Sequence, residues 1–263
     1  MYLRRKNYMK KIVTLTLLAF VLFTPHLHAD EITTDRPDAA ESSVTVGKYR
    51  FQSEHGFSIG YDDPAGPSTR TYTFPTLLRF GILEDVELRL ETEIASIQSS
   101  VGTTTRGFTD IDLGAKWHAF DQSKALPSLA LLAHLTLPVG KDSLSANVVV
   151  PTVKALADWD LPKGFAIGSN AGFDLPAREG GDKFARFLYA ISLSHSLFVE
   201  ELGGFLEFAG VLPMATGKLH EHFFDCGLTY LLKENIQADI SSQIALNETA
   251  QDFSLGFGLS ILW

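Results

Sequence analysis

Residues 86–94, VELRLETEI, place Val86, Leu88, Leu90, Thr92 and Ile94 on one side of an extended chain and Glu87, Arg89, Glu91 and Glu93 on the other. A period of two is the signature of a strand, because successive side chains point to opposite faces. Four consecutive charges on one face leave two readings. Either that face meets bulk water and the apolar row packs on a protein core, or the charges line a wet interior and the apolar row meets lipid.

The same alternation recurs downstream. In GKYRFQSEHGFSIGY, Tyr49, Phe51, Phe57, Ile59 and Tyr61 oppose Lys48, Arg50, Gln52, Glu54, Ser58 and Gly60. RTYTFPTLLRF sets Arg79 opposite Tyr72, Phe74, Leu78 and Phe80, and DIDLGAKWHAF sets Asp112 and Lys116 opposite Ile111, Leu113, Ala115 and Trp117. VVVPTVKALADW carries Lys154 and Asp158 on its polar row, and FLEFAGVL carries Glu207. With SLALLAHLTL, GFAIGSNAGFD, FARFLYAISLSHS, FFDCGLTYLL, NIQADISSQIAL and DFSLGFGLSILW, the pattern predicts twelve strands of about ten residues.

The chain opens with MYLRRKNYMKK, the apolar run Ile12 to Phe23, and TPHLHA. A basic start, a short apolar stretch and a small residue before Asp30 predict a secretory signal over 1–29, cleaved after Ala29. The apolar run falls short of the roughly 20 residues of a spanning helix. Without the signal's five basic residues, 17 Lys and Arg stand against 31 Asp and Glu. That balance argues against nucleic acid and against simple adhesion to an anionic membrane surface. Cys226 is the single cysteine, which excludes an internal disulfide.

Short connections alternate with longer polar ones. Residues 83–85, 160–164, 200–204 and 233–235 are tight, whereas SIQSSVGTTTRG, PVGKDSLSAN, LPAREGGD and LPMATGKLHE read as longer loops. An even strand count, tight turns on one side and long loops on the other predict a transmembrane, antiparallel up-and-down β-barrel. Its domains are then the signal (1–29), a periplasmic leader or lumen plug (30–42) and an outer-membrane barrel (43–263).

Several stretches, TTDRPD at 33–38, GKYRFQSEHG at 47–56, GFTDIDLGAKW at 107–117, LTLPVG at 135–140, LTYLLKENIQADI at 228–240 and the closing Gly-aromatic strand, resemble one family in their order. It is the meta-pathway of phenol degradation family of transporter-like outer-membrane proteins. Val139 stands where a Thr is more usual, and the resemblance names no transported compound.

Gly56-Phe57-Ser58-Ile59-Gly60 matches the G-x-S-x-G nucleophile elbow, but that motif needs a strand-to-helix turn, and here it interrupts nothing in an alternating strand. Small residues making room in a lumen is the better reading. His220, Glu221, His222, Asp225 and Cys226 form no defined metal-ligand set, so a polar rim with a buried thiol is preferred. His118, His134 and His195 stand singly.

The most informative constellation is the inward charged row. It comprises Lys48, Arg50, Glu54, Arg79, Glu87, Arg89, Glu91, Glu93, Asp112, Lys116, Lys154, Asp158, Arg186, Glu207, Asp225 and Asp239. In a barrel of about 12 Å radius such a row either fills the lumen or selects the solute. Asp35, Arg36 and Asp38 precede the first strand as a solvated leader or a lumen plug. If they enter the lumen, Arg36 should pair with Glu87, Glu91 or Glu93.

The function expected is passive passage of small solutes, hydrophobic or aromatic ones among them, by a monomeric channel that is no enzyme and needs no cofactor or metal. Its partners are outer-membrane lipids, an unidentified small-molecule solute and, during biogenesis, the barrel-assembly machinery. A lipid-modifying outer-membrane enzyme and an adhesive barrel with partner-binding loops are the alternatives.

Overall fold

The computed structural model describes residues 32–63, 67–177 and 181–263. The expected signal segment lies outside them. Twelve strands follow in chain order: β1 Phe51–Asp62, β2 Thr69–Leu83, β3 Val86–Ser99, β4 Thr104–Phe120, β5 Ser128–Leu137, β6 Val150–Leu161, β7 Phe165–Asp174, β8 Arg186–Ser196, β9 Leu202–Pro213, β10 Glu221–Lys233, β11 Ile236–Ala245 and β12 Phe253–Leu262. Each pairs antiparallel with its neighbours in sequence, and β1 pairs with β12 to close a barrel. Closure leaves no sheet edge unpaired.

The opening strand shows how the faces divide. Leu88 and Ile94 are exposed on the outer wall, while Glu87 and Arg89 are buried within. Leu113, Leu131, Ile191, Leu206 and Ile240 continue the exposed apolar wall. The aromatics on it fall into two belts. Phe80, Trp117, Phe120, Phe165 and Trp263 lie toward the short-turn end, and Tyr61, Phe108, Phe173 and Phe253 toward the other. Paired belts flanking an apolar band are the surface of a membrane barrel.

Irregularities have local causes. Pro75 has no N–H to donate, and the β1–β2 register skips Gly56 and Phe57 opposite Phe74 and Pro75. Beyond it the β3–β4 ladder shifts between Thr92 and Ile94.

The structure corrects three expectations. Lys48, Tyr49 and Arg50 are not in a strand: Gly47 and Tyr49 have positive φ, and the turn they form delays β1 until Phe51. The barrel therefore does not begin at residue 43. SIQSSVGTTTRG is mostly strand, leaving only residues 100–103 as a turn.

Candidate functional site: a re-entrant segment inside the barrel

Residues 32–46 enter at the short-turn end, run into the barrel and return to the same end before β1. Entry is marked by Ile32, whose N–H donates to Glu234 O in the β10–β11 turn and whose side chain packs with Val46 and Leu262. Return is marked by Gly47, whose backbone touches β2. A Cβ on Gly81 would lie 1.6 Å from Gly47 O, so only a glycine permits this approach.

Wall carboxylates hold the segment by its backbone. Glu54 accepts from the N–H groups of Asp35 and Arg36, each at 3.1 Å, and Glu207 accepts from Ala39 at 2.8 Å and Ala40 at 2.7 Å. Asp158 accepts from Ser43 N–H at 2.6 Å, and Glu87 from Val46 N–H at 2.9 Å. A re-entrant loop lacks sheet partners for its N–H groups, and these charge-assisted bonds supply them.

The segment's own acids meet the wall's bases. Lys116 donates to Asp35 at 2.8 Å, Arg89 also bonds Asp35, and Arg79 lies 3.7 Å from it. Arg79 in turn bridges Glu87 at 2.9 Å and Glu54 at 3.2 Å. Glu41 binds Lys154 at 2.6 Å and Arg89 at 2.8 Å. Glu54, Arg79, Glu87 and Lys116 are each 0 % exposed. Charges buried this deeply persist only when paired and hydrogen-bonded.

Burial raises the Asp35 carboxyl, but Arg79, Lys116 and Arg89 together bring it well below the usual range. Glu41 is opposed by burial and brought to about 2 by Lys154 and Arg89. Asp38 has no such partner; burial, with Asp35 and Asp158 adding to it, raises its carboxyl to about 7.

The opposite wall receives Arg36. Its guanidinium donates to Asp239 at 3.2 Å and to Phe257 O at 3.3 Å. It rests over Gly56 and Gly258, which face each other across β1 and β12; a Cβ on either would come within 2.6 Å of it. Arg36 thus pairs with Asp239 rather than with Glu87, Glu91 or Glu93, and Glu87 and Glu91 are already held by Arg79 and Arg89. Gly60 makes room for the Gln251 side chain. Both glycines of the elbow-like motif therefore serve as seats for other side chains.

The remaining predicted residues are spread more widely. Asp225 faces inward beside Glu207 across β9 and β10, and Asp112 accepts from Thr136. Glu91 binds Arg89 at 3.0 Å, and Glu93 lines the same cavity. Arg186 stands near the long-loop end paired with Asp174. Arg50 and Lys48 sit at the short-turn end, outside the inward row. His222 packs on Tyr189 and Phe208, and Cys226 lies 3.4 Å from Ser242, while Asp225 points inside. These side chains do not converge.

Cavities flank the segment. One of about 460 Å³ lies against β3 and β4 and is lined by Glu41, Glu91, Glu93, Asp110 and Asp112 among others. Another of about 210 Å³ lies beside Ser58. A third, of about 800 Å³, reaches the short-turn end past Ser128, Asp160 and Ser194. Asp38 lines all three.

A closed twelve-stranded barrel with polar groups inside, an apolar belted wall outside and an N-terminal segment folded into its lumen is an outer-membrane-type barrel. A family model described as "Putative MetA-pathway of phenol degradation" matches residues 34–263, and the chain belongs to that family. Among solved structures, it is similar to an outer membrane channel from Pseudomonas putida F1, with TM-score 0.70 and 11 % identity, over 86 % of this chain and 99 % of that one. It is also similar to the NanC porin, with TM-score 0.57 and 11 % identity, over 80 % and 98 %. The translocator domain of the autotransporter NalP from Neisseria meningitidis aligns with TM-score 0.53 and 12 % identity, over 81 % and 87 %. No curated protein matches the sequence.

Proposed function

We propose that this protein is an outer-membrane channel through which small solutes, hydrophobic and aromatic ones included, pass passively, and that the re-entrant segment sets the width and charge of the passage. The observation that carries this reading is Asp38, which lines the cavities on both sides of the segment. Solute moving between them passes that carboxylate. The lumen-lining and plug residues named above are then its selectivity elements, because charges in a confined lumen tune which solutes enter.

The fold is shared with channel and porin structures, and the paired aromatic belts suit residence in an outer membrane. A closed barrel needs no second chain to complete its sheet, which supports a monomer. The enzyme alternative has less support: the residues lining the cavity beside Ser58 include no histidine. Liposome swelling with a panel of sugars and aromatic acids tests the reading. Size-dependent swelling above empty liposomes supports it, and none with folded protein overturns it.

A further inference from the structure

Glu41, Glu91 and His134 each offer one donor atom, and the three atoms lie within 4.8 Å of one another. They come from the re-entrant segment, β3 and β5, and two of them line the 460 Å³ cavity. Acids near a cavity are not in themselves a site. His134 supplies the independent observation. Its side chain is 9 % exposed, and its Nε2 is buried without a hydrogen-bond partner. Glu91 Oε1 stands 3.5 Å away.

The ring is also seated. Gly114 faces His134 across β4 and β5, and a Cβ there would lie 2.0 Å from the imidazole Cδ2. The missing side chain lets the ring lie against β4 with its Nε2 toward Glu91.

We propose that Glu41, Glu91 and His134 bind one divalent transition-metal cation of the zinc class. Two carboxylates and one imidazole supply the mixed oxygen and nitrogen donors that such ions accept, whereas Mg²⁺ and Ca²⁺ favour oxygen alone. Arg89 and Lys154 now hold the Glu41 carboxylate, and Arg89 also holds Glu91 Oε1 at 3.0 Å, so the ion must displace both bases from these oxygens. Glu93, Asp110 and Asp112 around the same cavity offset the added charge. Because Glu41 belongs to the inserted segment, the bound ion ties that segment to β3 and β5. The site stands whether or not the barrel conducts solute.

The test uses the full chain, without a histidine tag, refolded in detergent, stripped of metal and dialysed against Zn²⁺ or Co²⁺. Folding is checked by heat-modifiable gel mobility. The expected result is one ion per chain, with visible Co²⁺ absorption bands. In His134→Gln the affinity falls by more than about tenfold, since even a ligand's outer partners are worth that much. Glu91→Gln serves if that variant does not fold. Absence of stoichiometric uptake by folded wild type overturns the proposal without any variant. Uptake unchanged in a folded variant overturns it too, and loss of that uptake in His222→Asn assigns the ion to the His220–His222 pair.

Discussion

The Lys116 ammonium donates to Asp35 Oδ2 at 2.8 Å, across 81 positions of sequence. This bond joins the inserted segment to the short-turn half of β4, and Arg79 and Arg89 gather at the same carboxylate. Removing the acid leaves three bases crowded in a buried place. Asp35→Asn should therefore cost about 3–5 kcal/mol, the usual penalty for breaking a buried ion pair. Thermal melting of the refolded barrel reads the loss. An unchanged melting temperature would mean that the cluster contributes nothing net.

Adjacent positions on β4 test the assignment of faces. Leu113 is exposed on the outer wall, and Asp112 faces the cavity. An Arg near the bilayer midplane costs about 2–4 kcal/mol, whereas an amide in a polar lumen costs little. Leu113→Arg should impair refolding into vesicles far more than Asp112→Asn. Equal tolerance in a heat-modifiability assay would reverse the faces.

Asp38 gives a pH dependence. Its carboxyl is raised to about 7 in the inserted segment, above the 3.8 of the free group. Insertion therefore favours the protonated form. The stabilisation is fully present below about pH 4 and is lost as pH rises through about 7. Conductance fluctuations should increase between pH 6 and 8 (roughly one unit either side of that value) in wild type, and stay flat in Asp38→Asn. The same rise in both proteins would assign it to other groups.

Gly258→Val should dislodge Arg36. A Cβ there meets the guanidinium at 2.6 Å and Asp239 Oδ2 at 2.2 Å, so the ion pair cannot keep its place. Overpacking of this kind typically costs about 1–3 kcal/mol. Cleavage of the loosened segment after Glu41 by a glutamate-specific protease should become faster in the refolded variant than in wild type. Equal cleavage rates would show that the glycine pair does not seat the side chain.

The barrel was legible because its rule is local. VELRLETEI carries its two faces in nine residues, and each later strand repeats the rule independently. The inward assignment of Glu54, Arg79, Glu87, Arg89 and Lys116 follows from parity alone. Lys48 and Arg50 escaped it because a turn with positive φ at Gly47 and Tyr49 precedes the strand, which parity does not register. The insertion of 32–46 was less legible. Its contacts join residues as far apart as Arg36 and Asp239, and closure of β1 on β12 brings them together. Gly56 and Gly60 were read as room in a lumen, but Gly81, Gly114 and Gly258 were the overlooked signal. Gly56, Gly81, Gly114 and Gly258 each mark a place where another part of the chain presses on a strand.

The central claim is that the inserted segment, rather than the barrel wall, sets the size of the passage. Its most direct test is single-channel recording in planar bilayers, comparing the intact chain with one lacking residues 33–45. No strand or lipid-facing residue is removed, so the truncated barrel should keep its heat-modifiable fold. The account predicts a larger conductance, because the cavities now separated by Asp38 would join. Unchanged conductance in a folded truncation would contradict it, and would leave the wall charges alone to define any passage.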